Sequence, residues 1–189
     1  MRIISGTLKS RKLIAPKGET TRPTSDRARE SLFNVLNNLI DFEGISILDL
    51  FAGSGAFAFE ALSRGAEHAT LIEKNKNAIN AIKDNVISLE LEDKITVIQK
   101  DVYSYLPSLT PNTQHLTPTI VFADPPYDDP RTLKDLPEAI FGSRLLTTDS
   151  IVIVEHRKGS RMGIPANAML IKELSAGEAV FTILGGKES

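Results

Sequence analysis

Short apolar runs alternate along most of the chain with longer segments of helical spacing. Ile45-Ser46-Ile47-Leu48, Ala69-Thr70-Leu71-Ile72, Ile95-Thr96-Val97-Ile98, Thr119-Ile120-Val121-Phe122-Ala123 and Ile151-Val152-Ile153-Val154 are too apolar to keep one face wet. They read as buried strands of a parallel sheet covered by helices on both sides. One helix is predicted from the segment after Gly55 to about Arg64, stopped by Gly65, and another from about Asn75 to Leu89. After Pro23, Ala28, Leu32, Val35, Leu36 and Leu39 share one helical face, with Thr24 or Ser25 as the cap. Leu170-Ile171 and the run from Ala179 to Leu184 complete the sheet, the last as an antiparallel return. At the front, Ile3-Ile4 and Leu13-Ile14 flank Gly6 to Lys12, a small hairpin or an extended arm. The predicted fold is α/β and doubly wound: a basic amino-terminal extension over residues 1–22 and a main domain over 23–185.

A length of 189 residues suits one hydrophobic core, and 41% apolar with 24% charged residues is an ordinary soluble composition. No run approaches 18 apolar residues and the first residues lack a signal peptide's apolar region, so no membrane contact and a cytoplasmic location are expected. The absence of cysteine excludes disulfides, zinc-thiolate sites, iron-sulfur clusters and any thiolate nucleophile. His68, His115 and His156 have no metal-ligand spacing and read as surface or structural, so no metal is expected. The net charge of -2 conceals an asymmetry. Residues 1–29 hold Arg2, Lys9, Arg11, Lys12, Lys17, Arg22, Arg27 and Arg29 against Glu19 and Asp26 alone, a net +6 on a body of -8. A basic edge of this kind suits a polyanion touched on one face, with salt-sensitive phosphate contacts.

The chemistry-bearing residues collect at the carboxyl ends of the predicted strands, where open α/β sheets bind their ligands. Asp49-Leu50-Phe51-Ala52-Gly53-Ser54-Gly55 is a glycine turn leading into a helix, and its glycines let a ligand approach the backbone closely. It carries no Gly-Lys-Ser or Gly-Lys-Thr, so it is no triphosphate loop, and its glycine spacing is not the dinucleotide fingerprint. Asp49 would repel a pyrophosphate yet accept from a cationic amine, directly or through water. The ligand this favours is a nucleoside with a positively charged, amino-acid-like tail. Glu73, at the second strand end, can take both ribose hydroxyls. Asp101, at the third, can accept from an adenine amino group with Val102 or Ile72 as apolar flank; both acids also read as helix caps. Asp124-Pro125-Pro126-Tyr127 closes the fourth strand: the prolines stiffen the turn, the carboxylate can hold an amine and the ring can stack on a flat molecule.

Taken in order, Asp49 to Gly55, Glu73, Asp101 and Asp124 to Tyr127 look like the S-adenosylmethionine-dependent class I methyltransferases that modify exocyclic amino groups. Arg2-Ile3-Ile4-Ser5-Gly6, Arg11-Lys12-Leu13 and above all Thr21-Arg22-Pro23-Thr24-Ser25-Asp26-Arg27-Ala28-Arg29-Glu30-Ser31-Leu32-Phe33-Asn34-Val35-Leu36 closely resemble the RsmD family of ribosomal RNA guanine methyltransferases. The likeness covers essentially the whole chain. It implies methylation of the 2-amino group of one guanine in 16S ribosomal RNA, on an assembling small subunit, by a monomer with a seven-strand, Rossmann-like sheet whose last strand is antiparallel. It assigns Asp49, Phe51, Ala52, Gly53, Gly55, Glu73, Asp101 and Val102 to S-adenosylmethionine, which leaves as S-adenosylhomocysteine. Asp124, Pro125 and Tyr127 become the catalytic turn acting on a flipped-out base. Arg2, Arg11, Lys12, Arg22, Arg27 and Arg29 become candidate RNA contacts. Two rivals stay open: an amino-methyltransferase acting on DNA or a protein glutamine, and a non-enzymatic RNA-binding module. The chain offers no room for a DNA target-recognition region, a protein substrate leaves the basic front unexplained, and a binding module leaves the ordered strand-end acids unexplained.

Overall fold

The computed structural model describes residues 1–16, 25–109, 118–129 and 131–187. Five parallel strands, β1 (Ser46–Leu50), β2 (His68–Glu73), β3 (Ile95–Gln99), β4 (Ile120–Ala123) and β5 (Ile151–Arg157), join β6 (Ala168–Ala176) and β7 (Ala179–Gly186) in one sheet. Their order is β3-β2-β1-β4-β5-β7-β6, and β7 runs against both of its neighbours. The sheet is therefore seven-stranded and mostly parallel with an antiparallel last strand, as the apolar pattern and the resemblance led one to expect. Strand order reverses between β1 and β4, which pair in register from Ile47 opposite Ile120 to Leu50 opposite Ala123. That switch point opens a crevice above the strand ends.

Alternation along each strand sends side chains into two separate cores. Ile47, Leu71, Ile120, Phe122, Ile153, Phe181 and Ile183 pack with α1 (Asp26–Leu36), α2 (Ala56–Ser63) and α3 (Lys76–Leu89). Leu48, Leu50, Ile72, Val121, Val152, Val154 and Leu184 face the other way, toward α4 (Val102–Tyr105) and α5 (Asp135–Phe141). A period of two with both faces covered is why the runs look continuously apolar. On the first face Phe57 stacks on Phe122 with centroids 4.0 Å apart, and Phe33 packs on Phe57 at 5.0 Å, tying α1 through α2 to β4.

Ser25 caps α1 by accepting from Ala28 N, and the helix ends at Leu36. Leu39 thus lies beyond it and is exposed, a correction to the predicted stripe. The cause is local: Asn38 and Leu39 close a turn onto Val35 and Leu36.

Residues 1–16 form a short hairpin-like arm, bridged at Arg2 and Lys12. Its backbone is held by buried polar side chains of the main sheet's helices. Glu60, fully buried, accepts from Ile4 N (2.7 Å) and Ser5 N (3.0 Å), and is itself paired with Arg64 at 2.8 Å. Ser63 Oγ accepts from Leu8 N and donates to the Ser5 carbonyl. The Asn85 amide bonds both the N–H and the carbonyl of Ile14. Gly6, at φ +82°, passes so close to α2 that a Cβ there would stand 1.7 Å from the Ser63 carbonyl oxygen.

Candidate active site

The glycine turn starts where β1 ends. Phe51 (φ 62°), Gly53 (φ 53°) and Gly55 (φ 75°) all take left-handed backbone, and for Phe51 that conformation is strained. Gly55 has no freedom to change: a Cβ would meet the Phe59 ring at 2.8 Å and Leu71 at 3.0 Å. At Gly53 the Cβ position is open, with nothing nearer than 3.9 Å, so a ligand can approach the chain there. Ala52 is fixed by its N–H to the Ile72 carbonyl.

Asp49 points to the α2 side of the sheet and is 1% exposed. Its carboxylate accepts from Ala58 N in the first turn of α2, a helix whose own N-cap, Gly55, has no side chain to do so. Burial, with the nearby Glu73 charge adding to it, pushes the Asp49 carboxyl up to about 8. Its Oδ2 is buried and has no hydrogen-bond partner among the described residues. The group is therefore poised to ionise when a cation arrives.

Glu73 ends β2 and is almost fully buried. It accepts from Gly53 N at 2.9 Å and Asn75 N at 2.7 Å, so it braces the glycine turn as well as standing at the strand end. Asp101 realises the capping alternative: it is the N-cap of α4 and accepts from Ser104 N, while its second oxygen faces Lys74 at 3.6 Å. Val102, buried behind it, lies in the second core. Phe51 meets the Tyr103 ring edge-on at 5.6 Å. Phe51, Ala52, Gly53, Gly55, Glu73, Asp101 and Val102 thus collect along the β1–β3 half of the crevice.

Across the switch point, Asp124 N bonds the Leu50 carbonyl at 3.3 Å, which joins the acidic turn directly to the end of β1. Pro125 is buried, Pro126 exposed and Tyr127 half-buried. The Tyr127 hydroxyl donates to Glu155 at 2.7 Å, and the Arg157 guanidinium lies 5.6 Å from its ring centroid. Beyond the turn, Asp129 N and Thr132 Oγ1 both bond the Pro126 carbonyl. Asp129 pairs twice with Arg131, whose guanidinium lies 3.8 Å above the Tyr103 ring. This latch holds the loop after the acidic turn against α4. Tyr103, Arg131 and Glu155 are structural parts of the site that the sequence did not single out, because each works through a contact between distant segments.

The basic candidates divide. Arg2, Arg11, Lys12 and Arg27 are exposed. Arg11 donates to the Ser88 carbonyl near the end of α3, where a cation suits the helix terminus, so its guanidinium docks the arm. Arg29 corrects the expectation of an RNA contact: it is 2% exposed, donates to the Arg2 carbonyl at 2.6 Å and pairs with Asp26 at 3.1 Å. The arm covers it. Arg22 lies outside the described residues, as does His115. His68 bonds Thr96 and His156 bonds Thr182 and Ser160, both buried, and among the described residues there is no cluster able to hold a metal. No helix of the described residues is long and apolar enough to cross a membrane.

Comparison with known proteins places the whole chain in a family. A family model described as "Conserved hypothetical protein 95" matches residues 1–185. The Bacillus subtilis protein YlbH is 38% identical over 156 residues, 82% of each chain. Ribosomal RNA small subunit methyltransferase D of Escherichia coli is 35% identical over 97% of this chain and 88% of its own. The solved structure of the Escherichia coli protein yhhF superposes with a TM-score of 0.83 at 30% identity, covering 100% of this chain and 99% of that one. With the match running from the arm through the sheet to β7, the chain belongs to the RsmD family of ribosomal RNA small subunit methyltransferases.

Proposed function

We propose that this enzyme transfers the methyl group of S-adenosylmethionine to the exocyclic 2-amino group of one guanine in 16S ribosomal RNA. The observation that carries the reading is the bond between Asp124 N and the Leu50 carbonyl, which sets the acidic turn beside the glycine turn. In this reading Glu73 takes the ribose hydroxyls, and Asp101 with Val102 flanks the adenine. Phe51, Ala52, Gly53 and Gly55 form the floor under the cofactor. Asp49 receives the ammonium of the amino-acid tail, directly or through a water, with its second oxygen. The cofactor supplies an electrophilic methyl carbon on a sulfonium.

The 2-amino nitrogen of guanine is a poor nucleophile while its lone pair is spread into the ring. Asp124 and the Pro125 carbonyl accept its two hydrogens, draw the nitrogen toward tetrahedral geometry and aim its lone pair at the methyl carbon. Tyr127 stacks on the flipped base and partly offsets the lost stacking in the RNA. On transfer of the methyl from a bound cofactor, which would leave as S-adenosylhomocysteine, positive charge would grow on the nitrogen, and the Asp124 carboxylate beside it would stabilise that charge and take the proton, itself or through water. Asp124 and Tyr127 need no covalent intermediate. In a basic extension over residues 1–22 that precedes the domain at 23–185, Arg2, Arg11 and Lys12 offer cations to phosphates, as does Arg27, and Arg22, outside the described residues, is a further candidate by its sequence alone. The enzyme acts as a monomer on an assembling small subunit in the cytoplasm.

Transfer of tritiated methyl to small subunits from an unmethylated strain, followed by nucleoside analysis, tests the reading. Label in N2-methylguanosine is the expected result. Label confined to adenine or cytosine overturns the guanine assignment.

A further inference from the structure

Beyond the four residues of the acidic turn, the end of β5 contributes a second layer to the transfer half of the site. Strand β5 pairs with β4 through Ala123 opposite Val154, so Glu155, the next residue, stands level with Asp124. Glu155 is 2% exposed, yet it is a carboxylate, and a buried carboxylate is costly unless it is well bonded. Its Oε1 accepts the Tyr127 hydroxyl at 2.7 Å, the short distance of a charge-assisted bond. Two residues along the same strand, and so on the same face, Arg157 sits with its guanidinium 5.6 Å from the Tyr127 ring centroid, within cation–π range. Burial and the Glu155 charge hold the Tyr127 hydroxyl well above the ordinary tyrosine range, which keeps it a donor.

Rotation about the Cα–Cβ bond sweeps the tyrosine hydroxyl through the widest arc, so a bond at that atom fixes where the ring lies and the direction of its long axis. Rotation about Cβ–Cγ leaves the hydroxyl oxygen on its axis, and the Arg157 guanidinium over the ring face is what favours one ring plane. Stacking depends on both position and plane. The acidic turn alone cannot supply this restraint, because Pro125 and Pro126 fix the backbone but not the ring.

We infer that Glu155 is a positioning residue for methyl transfer, holding the Tyr127 ring by its hydroxyl, with Arg157 over the ring, so that the remaining ring face is presented to the target base. The inference rests on the proposed stacking role of Tyr127. Glu155 touches neither cofactor nor base; its effect passes through the tyrosine hydroxyl.

The test is a double-mutant cycle on methyl transfer to small subunits, with cofactor affinity measured alongside by calorimetry. Glu155→Ala is expected to lower kcat by about 10- to 100-fold with cofactor affinity little changed, the loss expected when a stacking platform is misaligned by about an ångström. Glu155→Gln, which keeps an acceptor for the hydroxyl, recovers most of that loss. Tyr127→Phe, which keeps the ring and removes the hydroxyl, lowers kcat to a similar level as Glu155→Ala, and adding Glu155→Ala to Tyr127→Phe costs little further. Additive effects of Glu155→Ala and Tyr127→Phe overturn the inference, since Glu155 would then act by another route. Should Glu155→Ala fail to fold, Tyr127→Phe decides the matter alone: turnover at the wild-type level overturns the inference, and a loss of about 10- to 100-fold with cofactor affinity retained supports it. Tyr127→Ala separates the two layers: unchanged turnover there removes the stacking role itself, whereas impaired turnover with additive Glu155 effects removes only the inference.

Discussion

Asp49 gives the most quantitative handle on the cofactor half of the site. Its carboxyl is pushed up to about 8 by burial, so at pH 7 only about a tenth of the free enzyme carries the carboxylate. A cofactor ammonium bound at or near this group selects the ionised form. The cost of ionising it at pH 7 is about one pKa unit, about 1.4 kcal/mol or tenfold in affinity. Cofactor affinity is therefore expected to rise about tenfold per pH unit from pH 6 to 7 and to level off near pH 8. Above that the cofactor's own α-amino group, ordinarily near ~8, begins to lose its charge. Calorimetry at pH 7 in two buffers of different protonation enthalpy should count close to one proton released per cofactor bound. Asp49→Asn should release none, bind more weakly at pH 8 and show no slope below it. Stability moves in the opposite sense. A carboxyl raised in the folded state keeps its proton while the unfolded chain loses it, so the contribution is complete below about pH 4 and is lost as pH rises toward about 8. The wild type should lose stability relative to Asp49→Asn across that window. Affinity that is flat from pH 6 to 8, with no proton released, would mean that Asp49 is either ionised already or irrelevant to the cofactor.

Other expectations concern the arm and the glycine turn. Glu60→Ala removes the acceptor of Ile4 N and Ser5 N and leaves Arg64 unpaired, so about 3–5 kcal/mol of stability should go, read as a fall of roughly 6–20 °C in Tm; a change under a degree would mean that the arm is not docked through Glu60. Gly6→Ala would force a Cβ to within 1.7 Å of the Ser63 carbonyl oxygen. Faster hydrogen exchange at Ile3, Thr7 and Leu8 is expected, with methyl transfer to subunits impaired and cofactor affinity retained; unchanged exchange at those amides would contradict the close approach. Gly55→Ala, strained at φ 75° and crowded by Phe59 and Leu71, should lower both Tm and cofactor affinity, by contrast with an exposed turn such as Gly177→Ala, where only backbone strain applies and cofactor binding should be untouched.

Much of this architecture was legible in the chain because it depends on local pattern. The strands declared themselves by apolar runs and the acids by their position at the run ends, so Glu73, Asp101 and Asp124 were found without knowing what they touch. The cap that Asp101 places on α4 was among those local readings, whereas the one that Asp49 places on α2 was not: it spans nine residues of chain through a turn that supplies no capping side chain of its own. Arg29 was misplaced for a related reason. A cation in a first helical turn reads as solvent-facing, and only the arm folding back, with the Arg2 carbonyl 27 residues away, puts it inside. Leu39 extended a valid stripe beyond a turn that ends the helix. Glu155 and Arg131 sit on β5 and on the loop after the acidic turn, and they acquire meaning only once Tyr127 and Tyr103 are beside them.

In the proposed function the switch point divides the work, cofactor binding on the β1–β3 side and transfer on the β4–β5 side. The direct measurement is cofactor affinity and single-turnover methyl transfer for Asp124→Ala against the wild type. Turnover should fall by about 10²- to 10⁴-fold with the cofactor Kd within about twofold. Loss of cofactor affinity with single-turnover rates preserved at saturating cofactor would contradict it.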